Sequence, residues 1–391
     1  MITLALLAVG LVLLVPCTFL FLQVMAASPG ARRTDAPSRR PSIAVLVPAH
    51  DESSGIVATL ECILPQLAST DRCLVVADNC TDDTAAVARA AGASVIERSD
   101  ATRRGKGFAL DFGLRALEEA PPDVVVMIDA DCQIETDGIA RLSARAVVLD
   151  APVQALYLMR APADASYGAR IAEFAWCVKN RVRPLGLDRF GLPCQLMGSG
   201  MAFPWRLLQT IDLASGHIVE DMKLGIDLAA QGSAARFCPE VLVTSSFPTE
   251  SAGTQSQRTR WEHGHLSMMV STVPRLLALA LRRRDGALLA IALDLTIPPL
   301  ALLVMLVGAL VSVSLVVAVV TNAPAPLIVA AVDAALVTVG VGTAWWRFGR
   351  ENLPLAALAH APWYALAKIP LYARFLVTRQ TEWIRSKRDL P

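Results

Sequence analysis

The chain has 391 residues, 54% of them hydrophobic and only 18% charged, with a formal net charge of +1. A mean hydropathy of +0.47 excludes an ordinary soluble globular protein, and the near-neutral balance excludes a nucleic-acid binder working through a global basic field. Eight scattered cysteines with no C-x-x-C pair give neither a disulfide framework nor a four-ligand zinc site, and fit reduced half-buried thiols.

Residues 2–26 form an uncharged apolar run long enough to cross a hydrocarbon core of roughly 30 Å. Ala26-Ala27-Ser28 resembles a signal-peptide cleavage site, but no basic segment precedes the run, so a transmembrane helix over 1–27 is expected. The linker 28–41 carries Arg32, Arg33, Arg39 and Arg40, which by the positive-inside rule puts the following domain in the cytoplasm, as at a bacterial inner membrane.

Within 42–265 short apolar runs alternate with helical patterns. Ile43–Val47, Cys73–Ala77, Ser94–Ile96 and Val124–Ile128 read as strands, with helices expected up to about Leu67, over 84–91 and over 108–118. The alternation predicts an α/β domain with an open, mostly parallel sheet, where ligands bind beyond the carboxyl ends of the strands. Three of the four strands end in acids: Asp51-Glu52 after Pro48-Ala49, Asp78 before Asp82-Asp83, and Asp129-Ala130-Asp131.

In extended geometry residues i and i+2 share a face, so Asp129 and Asp131 can reach one ion. Bare carboxylates would repel a nucleotide diphosphate, and Mg²⁺ or Mn²⁺ between them resolves the conflict. An acid pair that merely caps a helix or faces water is the plain alternative. Thr81, Asp82 or Thr84 is expected to cap the helix that follows. Arg103-Arg104-Gly105-Lys106-Gly107 is a flexible basic loop in which Lys106 suits a diphosphate, with a solvated basic loop as the alternative. Gly198-Ser199-Gly200 precedes an apolar segment, and Glu220-Asp221 opens a helix, where an acid can also be a simple cap. Gln257-Arg258-Thr259-Arg260-Trp261 joins cations to an indole, a composition shared with interfacial anchors.

After 265 come a basic interfacial segment, 266–286, ending in Arg282–Arg284, and two transmembrane helices within 287–345. The first of these is interrupted at Asp294 and at Pro298-Pro299. Residues 346–391 supply an interfacial or transmembrane helix and a basic tail with Arg379, Arg385, Lys387 and Arg388, suited to anionic head groups. Three crossings plus one surface helix is the expected count, with four crossings as the alternative.

Taken in order from Ile43 to Trp261, these motifs resemble the membrane-bound family 2 glycosyltransferases, such as cellulose, hyaluronan and poly-N-acetylglucosamine synthases and ceramide glucosyltransferases. The resemblance implies a GT-A-like fold and inverting transfer from a nucleotide sugar, expected to be a UDP sugar, to a membrane-associated acceptor. By position it makes Pro48, Ala49 and Glu52 the nucleotide-facing loop; the family often has Asn where Asp51 stands. Asp78 would bind the uridine, Lys106 would lie near base or diphosphate, and Asp129 and Asp131 would form the metal motif, Asp131 the more direct ligand. Gly198 and Ser199 would line the acceptor pocket. Glu220-Asp221 resembles the E-D motif, with Asp221 the general base. Gln257, Arg258, Arg260 and Trp261 match Q-x-x-R-W, Arg260 holding the departing diphosphate and Trp261 stacking on the acceptor. The rival readings are a processive polysaccharide synthase, a non-catalytic subunit of an export complex with other assembly proteins as partners, and a membrane-anchored nucleotidyltransferase. The last has no use for the two late motifs.

Overall fold

The computed structural model describes residues 1–28, 39–162, 164–247 and 251–377, with 251–258 described by their backbone alone. The chain divides into two compact units.

One unit, drawn from 39–162 and 193–261, is built on an eight-stranded mixed sheet. Its strands are β1 (Ile43–Ala49), β2 (Arg72–Asp78), β3 (Ser94–Arg98), β4 (Val124–Met127), β5 (Gln133–Ile134), β6 (Val153–Arg160), β7 (Met201–Pro204) and β8 (Arg236–Ser246). They lie in the order β3-β2-β1-β4-β7-β6-β8-β5. The first four pair in parallel, as the apolar runs of β1, β2 and β4 imply, and every residue of β4 is buried. Beyond β4 the sheet turns mixed: β7 runs antiparallel to both β4 and β6, β6 and β8 are parallel, and β5 is antiparallel to β8. The register between β6 and β8 jumps from Ala155↔Cys238 to Leu156↔Leu242. Pro239 stands in the skipped stretch of β8, where a residue with no N–H cannot join the ladder.

Helices Ile56–Ile63, Thr84–Ala90 and Lys106–Leu117 make the crossovers of the parallel half. Each expected strand and helix there is present within a few residues of its expected bounds. The expected cap is displaced by one residue: Asp83 occupies the N-cap position of this helix, and Asp82 just before it accepts the Thr84 N–H on Oδ1 at 3.0 Å.

The second unit, drawn from 1–28, 164–192 and 262–377, is helical among the described residues. Among the described residues of the whole chain, four helical stretches are long and apolar enough to cross a membrane: Ile2–Ala26, Thr259–Arg283, Leu300–Thr321 and Ala325–Gly349. The expected interfacial segment 266–286 is mostly the continuation of one helix, Ser251–Arg283, ahead of a break at 284–285. The expected break at Pro298-Pro299 separates Gly286–Leu295 from Leu300–Thr321. The apolar stretch 352–378 is broken into Leu355–Leu358, Ala361–Leu366 and Ile369–Val377, none of them long enough to cross. The basic tail lies outside the described residues.

Asp294 and Gln23, both anomalous in apolar segments, explain one another. Asp294 Oδ1 accepts from Gln23 Nε2 at 2.6 Å and from Arg183 Nη2 at 2.8 Å, so the buried acid meets a cation and an amide rather than lipid. Arg183 belongs to a helical segment, Tyr167–Arg189, inserted in the chain between β6 and β7. A Cβ added at Gly186 of that segment would lie 2.1 Å from the Gln23 carbonyl oxygen, so glycine alone permits this close approach.

Candidate active site

The expected acids sit at the carboxyl ends of β1, β2 and β4, but the fold uses them in two ways. At β1 and β2 they join loops. Asp51, with φ of +51°, accepts the Thr81 N–H at 2.5 Å. The Glu52 N–H donates to Thr84 Oγ1 at 2.7 Å, and the Ser53 N–H donates to Asp82 at 3.1 Å. Asp82 is pulled down to about 2 despite the opposing effect of partial burial, by hydrogen bonds from Thr84 and Ser53. The buried Asp78 accepts from Arg98 Nη1 at 2.5 Å and from Asn79 Nδ2 at 3.0 Å. Arg98 also reaches Asp100 at 3.2 Å and the Arg103 carbonyl at 2.8 Å, which ties the end of β2 to the basic loop.

At β4 the arrangement is different. Lys106, at the start of its helix, forms an ion pair with Asp129, donates to the Gly198 carbonyl at 2.7 Å and lies 3.7 Å from Glu220 Oε1. Gly198 has φ of +97°, and a Cβ there would stand 3.4 Å from Asp221 Oδ2, so the Asp221 carboxylate abuts this bend. Gly200, at φ +68°, has room for no side chain: a Cβ would come within 2.7 Å of Val243 and 2.8 Å of Ala155. The bend thus passes between strands while Ser199 Oγ accepts the Asp129 N–H at 3.1 Å. Gln154, buried on β6, fixes the bend from beneath by donating to the Ser199 carbonyl and accepting the Met197 N–H. Thr59 Oγ1 donates to the Ala130 carbonyl at 2.8 Å and holds the turn between the two aspartates.

The electrostatics follow from this crowding. Burial pushes Asp129 up, Lys106 counters, and Asp131 and Asp221 push it further. Burial, offset by Lys106 and reinforced by Asp221, raises Glu220 to about 7. Burial alone would lower Lys106, but Asp129 and Glu220 outweigh it and hold the ammonium above its usual range. Arg260 adds positive charge near Glu220, and its Nε is buried with no hydrogen-bond partner among the described residues. Asp129, Asp131 and Cys132 offer ligand atoms within 4.8 Å of one another, a group able to hold a metal ion.

A cation held near converging, partly buried acids behind a parallel-strand edge is a site for an anionic ligand and its metal. The family model "Glycosyltransferase like family 2" matches residues 41–264. The chain belongs to that family. Among curated proteins it is similar to the glucosyl-3-phosphoglycerate synthase of Mycolicibacterium paratuberculosis (strain ATCC BAA-968 / K-10), 38% identical over 96 residues. That match takes in 23% of this chain and only 28% of the relative. Among solved structures the chain is similar to a mannosyltransferase from Pyrobaculum calidifontis in complex with GDP-Man and Mn²⁺, with 20% identity and a TM-score of 0.54. The likeness covers 93% of this chain and 98% of that one. A glucosyl-3-phosphoglycerate synthase from Mycobacterium tuberculosis in complex with Mn²⁺, UDP and phosphoglyceric acid matches 57% of this chain and 78% of that one, at 21% identity and a TM-score of 0.36. The fold is GT-A-like.

In this glycosyltransferase Lys106, Asp129, Gly198, Ser199, Glu220 and Asp221 come together, with Arg260 near Glu220. Pro48 and Ala49 end β1, and Glu52 begins the following loop. Asp78 is not part of the cluster around Lys106, being taken up by Arg98. Gln257 and Arg258 have side chains outside the described residues. Trp261 is half-buried on the helix Ser251–Arg283. Sequence reasoning missed Arg98, Gln154, Cys132 and Ser245. Gln154 alone carried a signal, a polar residue within an otherwise apolar strand sequence, where burial demands hydrogen-bond partners.

Proposed function

We propose that this family 2 glycosyltransferase is an inverting, metal-dependent hexosyltransferase that draws on a nucleotide sugar, expected to be a UDP sugar, and delivers to a membrane-associated acceptor. The observation that carries the reading is the meeting of Asp129, Lys106, Glu220 and Asp221 around the Gly198 bend. The acceptor hydroxyl attacks the anomeric carbon, the bond from that carbon to the diphosphate oxygen breaks, and the hydroxyl proton passes to the Asp221 carboxylate. Lys106 and Arg260 meet the charge that develops on the departing diphosphate.

Mg²⁺ or Mn²⁺ fits Asp129 and Asp131, because burial and the neighbouring Asp131 and Asp221 carboxylates disfavour the Asp129 charge and a divalent cation relieves both. When bound, such an ion would neutralise the diphosphate. The Mn²⁺ and GDP-Man held by the Pyrobaculum mannosyltransferase support both halves of this reading. The membrane-associated acceptor is supported by Arg260 and Trp261, which stand on the helix whose Thr259–Arg283 stretch is long and apolar enough to cross a bilayer.

A second reading exchanges the two acids of the motif. Glu220, raised to about 7, has the proton affinity suited to a base at neutral pH. Its engagement with Lys106 favours Asp221, whose carboxylate is not so held. Incubating the purified protein with a panel of nucleotide sugars, Mg²⁺ or Mn²⁺ and native membrane lipids tests the function. One donor consumed, with its nucleoside diphosphate released and a single lipid-extractable product, is expected. Pyrophosphate release, or no consumption of any donor, would refute it.

A further inference from the structure

Asp131 is held at both of its carboxylate oxygens. Ser245 Oγ donates to Oδ2 at 3.0 Å, and the Cys132 thiol donates to Oδ1 at 3.6 Å. Neither donor is an accident of a mobile side chain. Cys132 is fully buried and Ser245 nearly so. Ser245 stands on β8 opposite Met159 of β6, and its neighbour Thr244 pairs with Gln133 of β5. The two-residue strand β5 begins two residues after Asp131, so its pairing with β8 is what brings the serine to the metal motif.

We infer that Ser245 and Cys132 are positioning residues that set the Asp131 carboxylate in place before metal and donor bind. The inference rests on the reading of Asp129 and Asp131 as metal ligands and names two residues that the motif does not contain. A carboxylate with two fixed donors loses less rotational freedom on binding an ion, and each donor leaves lone pairs on its oxygen for the cation. Loss of such supporting partners commonly weakens metal binding 10–100-fold. Cys132 acts here as a donor in its thiol form, and the hydrogen bond to Oδ1 needs the S–H proton.

Mn²⁺ binding to the full-length protein in detergent, followed by electron paramagnetic resonance without nucleotide, tests this directly. Asp131→Asn should abolish high-affinity binding. Ser245→Ala should weaken it about tenfold, while Ser245→Thr, which keeps the hydroxyl, should retain most of it. Cys132→Ala should weaken it to a smaller extent, and Cys132→Ser should restore it. Equal thermal stability of Ser245→Ala and Ser245→Thr separates positioning from a folding defect. Binding lost in Asp131→Asn but unchanged in Ser245→Ala and Cys132→Ala would overturn this inference alone. Binding unaffected by Asp131→Asn would overturn the metal-site reading as well. With Co²⁺ in place of Mn²⁺, a thiolate-to-metal charge-transfer band would show Cys132 to be a ligand rather than a donor to Asp131, and its absence is expected.

Discussion

The acids beyond the ends of β1, β2 and β3 and those gathered around Lys106 belong to one unit of the chain and have opposite fates. Asp51, Asp78, Asp82 and Asp100 are covered by donors from neighbouring loops, and hydrogen bonds from Thr102 and Arg103 pull Asp100 down to about 2. Asp129, Glu220 and Asp221 instead crowd one lysine, and burial and mutual repulsion raise the first two. A satisfied carboxylate holds loops together, whereas a crowded one holds unfavourable charge that a cationic ligand or a proton relieves. The first group should therefore report on stability and the second on catalysis.

That contrast can be broken by substitutions of graded effect. Asp129→Ala should give the largest, lowering kcat by about 10³-fold, the equivalent of about 4 kcal/mol of transition-state stabilisation. Its melting temperature should change little, because a crowded acid is removed. Asp78→Ala should do the reverse. It leaves Arg98 buried without its main partner, so denaturant unfolding should show a loss of about 3 kcal/mol.

Glu220→Gln sharpens the comparison through pH. The folded protein raises the Glu220 carboxyl to about 7, above its unfolded value, so protonation favours the folded state. Its favourable contribution is complete below the unfolded value and is lost as pH rises through about 7. The glutamine variant should therefore melt higher than the parent at pH 8 and level with it near pH 4. Asp82→Ala should have the smallest effect, about 1 kcal/mol, as for loss of a hydrogen bond between loops. The folded protein lowers Asp82, so that contribution should be present above the unfolded carboxyl value and fade as pH falls through about 2.

The parallel half of the sheet was legible because β1, β2 and β4 are buried on both faces and their sequences are unbroken apolar runs. The acids follow such runs directly, so position and chemistry were read together. The other half was opaque for physical reasons. β7 has only four residues, β8 is interrupted at Pro239, and the helical segment Tyr167–Arg189 separates β6 from β7 in the chain. Ser245 and Arg98 each sit on a strand whose pattern says nothing of what their side chains meet, since both contacts are made between residues distant in sequence. The expectation that Asp78 binds the uridine came from its strand end and from the family resemblance, and nothing in the sequence announces its pairing with Arg98. In the helical unit, composition revealed the long apolar runs. It did not reveal that the span Thr259–Arg283 is one unbroken helix with the Arg260–Trp261 motif.

The central claim, that the acids around Lys106 carry out sugar transfer with Asp221 as base, is tested most directly by comparing donor binding and turnover in Asp221→Asn. Nucleotide-sugar affinity, measured calorimetrically in Mn²⁺, should stay within about twofold of the parent, while release of nucleoside diphosphate to acceptor falls by about 10³-fold. An Asp221→Asn protein that keeps its turnover would contradict the account, as would one whose lost turnover is fully explained by lost donor binding.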